Sequence, residues 1–274
     1  VENYLPAGRM VDHVYRDNFP KPEAEKAALR RVIVGLGADI LALQEMGPLP
    51  YLEELRQDLR ADGIDYPFVA LLEAADADRH VALLARRPWK TLRRHAAVVT
   101  GLAAGGGVVK RGVLEATFGV GQEDFTVFVI HLKSRLTETR DDPGSALQRR
   151  EEARAVRELV LARFPDPGRA RFVICGDWND TRDSEPVRTL SRRGSLALGK
   201  ILPSADSRGE AWTHHYLHED SYSRIDFFLV SPGLAPEVYG SSAAIFDGPG
   251  VQVASDHRPV LIRLARREQG SARR

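Results

Sequence analysis

The chain has 274 residues, 43% hydrophobic and 28% charged, which is enough to bury a sizeable core without staples. Its 39 basic and 38 acidic residues leave a net charge of +1, which excludes adhesion to nucleic acid by bulk charge but not a local basic patch. A single cysteine, Cys175, excludes an internal disulfide framework and a multi-thiolate zinc site, and no apolar run approaches the ~20 residues that span a bilayer.

In chain order, the first predicted element is a helix over residues 22–36. Leu29, Val32, Ile33 and Leu36 follow i, i+3, i+4, i+7 spacing, and Gly37 stands where a C-terminal cap is expected. The apolar run 40–43 is too short for a helix and reads as a buried strand, with Gln44 and Glu45 at its end. A second helix is predicted over 49–61. Strands follow at 81–85, 96–99, 108–118 and 125–132, separated by Gly-rich or charged turns. Strands in direct succession fit antiparallel pairing better than strict βαβ alternation. The helical period returns over 145–164, where Ser145 and Gln148 form an S-x-x-Q capping box and Pro165 and Pro167 end the run. Strands at 172–175, 225–230 and 259–264 complete the set. No repeat or linker is evident, so one domain is expected over 1–264, with a frayed basic tail over 265–274. The fold class is α/β, of mixed α+β type, with many strands and about four helices.

Polar residues gather at the strand ends. Glu45 follows Leu-Ala-Leu-Gln, and His131 ends Val-Phe-Val-Ile. Asp177 and Asn179 follow Phe-Val-Ile-Cys-Gly, Asp226 opens Asp-Phe-Phe-Leu-Val, and Asp256-His257 precedes Arg-Pro-Val-Leu-Ile. Ionisable groups beside buried strands are costly unless they are paired or bind an ion. If these ends converge, they form an acidic, histidine-containing pocket suited to a hard divalent cation, Mg²⁺ or Mn²⁺. Each residue alone also has a plain structural reading. Glu45 can be a solvated loop residue, His131 a core histidine, Gly-Asp-x-Asn a turn, and Asp226 a partner of Arg224.

Other features carry less. The stretch 101–112 fails the phosphate-loop pattern, because Arg111 stands where Ser or Thr must follow Lys110. His214, His215 and His218 resemble a metal tract, but without a nearby Cys they read better as a substrate-side loop. Arg140, Arg149 and Arg150 read as solvated helix charges. No Gly-x-Ser-x-Gly elbow is present.

The ordered set Leu43-Gln44-Glu45, His131-Leu132-Lys133-Ser134, Gly176-Asp177-Trp178-Asn179, Ser223-Arg224-Ile225-Asp226-Phe227 and Ser255-Asp256-His257-Arg258-Pro259-Val260 resembles the endonuclease/exonuclease/phosphatase superfamily, with the fold of deoxyribonuclease I. The resemblance implies a four-layer α/β sandwich, two mainly antiparallel β-sheets face to face with helices outside, and metal-dependent hydrolysis of a phosphate ester. Carried over residue by residue, it makes Glu45 the principal metal ligand, assisted by Asp256. Asp177 would orient or deprotonate the attacking water, and Asn179 would hold the phosphate or that water. His257, with its tautomer fixed by Asp226, would contact the phosphate or transfer a proton, and His131 would stabilise the leaving side. The general base is left open between Asp177 and the His257–Asp226 pair. Lys133 and Arg224 are expected near the phosphate, and Trp212 at the rim. One departure concerns the start: the family's first strand carries an aromatic-Asn pair that would fall just before Val1. A truncated first strand is therefore expected, with Asn3 as a possible contributor to the metal. The substrate implied is a phosphate ester, nucleic acid first, with a phosphatase or phospholipase on inositol phosphate, sphingomyelin or a nucleotide as the alternative. A monomer is expected, and the compartment is left open.

Overall fold

The computed structural model describes residues 1–102, 107–120, 123–137 and 140–265. Strands β1 (Ala7–Val11) and β2 (Val14–Phe19) form an antiparallel hairpin ahead of helix α1 (Glu23–Leu36). The apolar stripe of α1 buries Leu29, Val32 and Ile33, and Gly37 supplies the left-handed cap at φ 58°. Then come β3 (Ile40–Met46), α2 (Leu49–Ala61), β4 (Phe68–Leu72) and β5 (His80–Ala85), the three strands pairing antiparallel in the order β3–β5–β4.

The next stretch holds β6 (Trp89–His95), β7 (Val113–Val120), β8 (Glu123–His131), α3 (Ala146–Arg163), β9 (Phe172–Asp177) and α4 (Glu185–Ser191). A small hairpin, β10 (Arg192–Arg193) with β11 (Leu196–Ala197), leads to β12 (Lys200–Ile201) and β13 (Ser204–Ala205). A second hairpin, β14 (His214–Tyr216) with β15 (Ser221–Ser223), precedes β16 (Asp226–Val230), β17 (Ala243–Ile245), α5 (Val251–Ala254) and β18 (Val260–Leu261). A six-stranded sheet runs β12–β16–β9–β8–β7–β6, parallel only between β8 and β9. Three further strands pair in the order β13–β17–β18.

Side-chain alternation stacks these sheets into layers. In β5, Val81, Leu83 and Ala85 face the interior between the sheets, while Ala82 and Leu84 pack with Leu29 and Val32 of α1 and Leu52 and Leu55 of α2. In β8, Val127 and Val129 enter the same interior, while Phe128 and Ile130 meet Val156 and Val160 of α3. The order is helices, sheet, sheet, helices: a layered α/β sandwich. Strands covered on both faces read as unbroken apolar runs, which is why β5 and β8 show no alternation in sequence.

Several boundaries differ from the sequence expectation. Residues 96–99 form no strand, and Val99 makes only an isolated bridge to Val108. The strand there is β6, an edge strand whose Lys90, Arg93 and Arg94 face solvent and hide its pattern. The strand expected from 108 begins at Val113, after a turn in which Gly112 takes φ 64°. The capping box at Ser145 is not formed. Asp142 caps α3 instead, its carboxylate accepting from the backbone of Leu147 at 2.8 Å and Gln148 at 3.0 Å. The short helices α4 and α5 and strand β4 were not anticipated. Of the expected tail, only Ala265 lies within the described residues.

On its other side, β3 meets Tyr4 in a parallel bridge at Met46. Beyond that bridge a cavity of about 780 Å³ opens between β3 and β18, lined by Val1, Leu41, Leu43, Cys175 and Val260.

Candidate active site

The site is built first by strand register. In the six-stranded sheet His131 pairs with Asp177 on one side, and Asp226 pairs with Asp177 on the other. Three chemically active residues therefore stand abreast at one sheet end. Gly176 makes this possible: at φ 136°, a Cβ there would meet the Ile130 carbonyl oxygen at 1.9 Å. Across Trp178 from Asp177, Asn179 takes a left-handed φ of 53° and donates its backbone N–H to Asp177 Oδ1 at 2.7 Å. The Asn179 side chain is fixed by a bond from Nδ2 to the Leu132 carbonyl at 2.9 Å.

Glu45 arrives by a different device. The β3–β5 register slips between Leu43 and Met46, and Glu45 takes φ 61° within that irregularity. Its carboxylate accepts the backbone N–H of Asn3 at 3.0 Å.

His257 is delivered by the loop after α5. Its Nδ1–H donates to Asp226 Oδ2 at 2.9 Å, and its Nε2 lies 4.0 Å from Asp177 Oδ2. His131 Nε2 lies 3.5 Å from the same oxygen. Both imidazoles thus face one carboxylate oxygen.

Electrostatics separates the roles available to these groups. Burial raises the Asp177 carboxyl to about 7; Asp226 and Glu45 add to the rise, and His257 opposes it. Burial disfavours the charged form of His257, but Asp226, Asp177 and Asp256 outweigh it and raise the imidazole to about 10. His131 is pushed well below its usual value by burial, with Arg111 and His257 adding to the fall, so it is neutral. Asp256 is held at about 2, burial being overcome by His214 and His257.

The sequence model of the Endonuclease/Exonuclease/phosphatase family matches residues 11–257. The chain belongs to that family. Among solved structures it is similar to beta toxin of Staphylococcus aureus, at a TM-score of 0.66 and 13% identity over 96% of this chain and 98% of the toxin's. It is also similar to sphingomyelinase C from Streptomyces griseocarneus (TM-score 0.63, 17% identity, 89% and 92% of the two chains). The human Nocturnin catalytic domain aligns at a TM-score of 0.60 and 16% identity, over 89% and 88%. A further structure of beta toxin, of an F277A, P278A mutant, holds bound magnesium ions. By sequence, no curated protein matched the chain.

Family members are typically dependent on a divalent metal, and the donors present fit a hard cation. Glu2 accepts the Asp256 backbone N–H at 3.3 Å and Glu45 accepts that of Asn3, so the segment before β1 runs beside both expected metal ligands. Burial and Asp256 push the Glu2 carboxyl upward.

Not every expected residue joins this cluster through its side chain. Asn3 reaches Glu45 through its backbone, and its side-chain oxygen accepts from Arg79 Nε at 2.8 Å. The buried Lys133 donates its ammonium to the Ser134 and Leu136 carbonyls and its backbone N–H to Glu152 at 2.8 Å, which braces the loop after β8. Arg224 donates to the Leu202 carbonyl and stacks on Phe227 at 5.0 Å; Asp226 is the partner of His257 rather than of Arg224. Trp212 packs beside the β14–β15 hairpin, with the Arg258 guanidinium 3.4 Å from its ring centre and Tyr222 edge-on at 4.9 Å. Arg149 is buried against Asp180 at 2.9 Å, not solvated.

Sequence reasoning missed Glu2, Arg79 and Arg111, and placed His214 only with His215 and His218 on a substrate-side loop. Arg79 and Arg111 are scattered single residues whose charge bears on His131, and no motif marks them. His214 carried a signal, the Trp-Thr-His-His run, but nothing in it told His214 from His215. The distinction is geometric: His215 turns to Asp220 at 2.9 Å, while His214 Nε2 turns to Asp256 at 3.6 Å.

Proposed function

We propose that the protein is a divalent-metal-dependent phosphodiesterase, a nuclease on DNA or RNA, using Mg²⁺ or Mn²⁺ held by Glu45 and Asp256. The observation that carries this reading is the shared oxygen, Asp177 Oδ2, faced by two imidazoles of opposite protonation state. The bound metal would act as a Lewis acid on a non-bridging phosphoryl oxygen. Asp177 accepts a proton from the attacking water, since its pKa near 7 suits a base at neutral pH. Asn179 positions that water or the phosphate. His257, kept charged by Asp226, faces the phosphate as donor, and neutral His131 shares the negative charge that develops in the in-line transition state. Arg79 and Arg111 add positive potential behind His131.

A second reading keeps the chemistry and changes the substrate to a phospholipid, an inositol phosphate or a nucleotide. The β14–β15 hairpin favours it: Leu217 is 75% exposed and Tyr216 46% exposed beside the site, and sphingomyelinase C is among the structural neighbours. A panel of single- and double-stranded nucleic acids, a chromogenic phosphodiester, sphingomyelin, inositol phosphates and a monoester separates the two. Cleavage of the nucleic acids and the diester, stopped by EDTA, is expected. Turnover confined to a monoester or to sphingomyelin would overturn the nuclease reading.

A further inference from the structure

We propose that His214, Asp256 and His257 form a site for a borderline transition cation, of the zinc class, which overlaps the hard-cation site at Glu45 by sharing Asp256. One donor atom from each residue lies within 4.8 Å of the other two, the only such group among the described residues. Ligands of a tetrahedral zinc stand about 3.3 Å apart, so small side-chain rotations close the set.

Three features distinguish the trio from a chance cluster. Two imidazoles and one carboxylate suit Zn²⁺ or Co²⁺, whereas Mg²⁺ takes oxygen donors. The far nitrogens of both rings are already held: His257 Nδ1 by Asp226 at 2.9 Å, and His214 Nδ1 by the Ser223 hydroxyl at 3.4 Å. That leaves Nε2 of each ring to face the ion, His257 releasing its proton on binding, in the manner of ligating histidines oriented by an outer shell. The backbone fixes the spacing as well, through the His214–His257 bridge, the bond from His215 N–H to the Asp256 carbonyl at 2.9 Å, and that from Arg258 N–H to the Thr213 carbonyl at 2.6 Å. The three side chains remain 18%, 32% and 25% exposed, so an ion has a way in and a fourth position is open.

Occupancy would draw Asp256 from the hard cation and His257 from the phosphate. Zinc is therefore expected to inhibit the magnesium-supported reaction, a consequence that rests on the proposed function. The site itself does not, and is tested by binding. Co²⁺ added in excess Mg²⁺ should give a ligand-field absorption band at one equivalent, abolished by Zn²⁺. The band should persist in Glu45→Gln, and His214→Gln should weaken Co²⁺ affinity by on the order of 100-fold. In the unaltered protein, ring-nitrogen NMR should show Zn²⁺ moving His214 and His257 while His215 and His218 stay. An undiminished band in His214→Gln, loss of the band in Glu45→Gln, or unmoved His214 and His257 resonances would overturn the proposal. A cobalt band in a protein that hydrolyses no phosphodiester leaves this site standing and removes the nuclease reading. Hydrolysis without the band removes this site alone.

Discussion

Asp206 and Asp177 are both buried aspartates facing cationic side chains, and the fold treats them in opposite ways. Asp206 accepts on both oxygens: from the backbones of Arg208 and Glu210 at 2.9 Å each, and from Arg258 Nη1 at 2.8 Å. Burial would raise it, yet these bonds hold it well below the usual carboxylate range. Asp177 accepts one backbone bond, on Oδ1. Its other oxygen faces two imidazoles at 3.5 and 4.0 Å, beyond a good hydrogen bond, and burial raises it to about 7. A buried carboxylate whose acceptors are filled ties elements together, here the β13 region to the loop of Arg258. One whose acceptor is left unfilled can take a proton.

The contrast can be broken at each pole. The largest effect is expected at the Asp177 cluster: His257→Ala should lower kcat by about 10³-fold in a chain that still folds. Arg258→Ala should do the reverse, lowering the melting temperature by several degrees because Asp206 loses its guanidinium partner. Thermal denaturation followed beside initial rates checks both. If His257→Ala unfolds the chain, or Arg258→Ala leaves its stability intact, the division between the two aspartates fails.

The pH profile sharpens the comparison. With Asp177 near 7 and acting as base, kcat/KM should climb as pH rises through about 7, then fall as His257 loses its proton near 10. A profile flat from pH 5 to 9 would remove Asp177 from that role. The smallest effect concerns Cys175, on the strand that carries Asp177. Burial pushes its thiol up to about 12, so a thiol reagent at pH 8 should label it slowly in the folded protein, although it lines the cavity between β3 and β18. Rapid labelling of the folded protein would show that the thiol is not held protonated.

Much of this arrangement could be read from the sequence, for a specific reason. Glu45, His131, Asp177, Asn179, Asp226, Asp256 and His257 sit where apolar strands end, and strand ends are marked by an abrupt change of residue type. The long buried elements α1 and α3 were marked by their 3.6 period. What was missed lacks such contrast. Strand β6 lies at a sheet edge and mixes Lys90 and Arg93 with Leu92, and α4 and α5 are too short for a period to register. Lys133 and Arg224 have the right chemistry for phosphate, but sequence could not show that their side chains also donate to the backbone carbonyls of Leu136 and Leu202. His214 and Arg111 owe their places to long-range packing. Local spacing carries no trace of it.

The most direct test is Asp177→Asn, measured for turnover and melting temperature in the same preparation. The raised pKa means that the folded state holds a proton that the unfolded chain releases from about pH 3.8 upward. Stability from this group is therefore present below that value and lost as pH rises to about 7. Asparagine removes that loss: the variant should melt with the parent near pH 4, melt several degrees higher at pH 8, and turn over about 10³-fold more slowly with Mg²⁺ on a chromogenic phosphodiester. Full turnover in Asp177→Asn, whatever its melting temperature, would contradict the assignment of this cluster to phosphodiester hydrolysis.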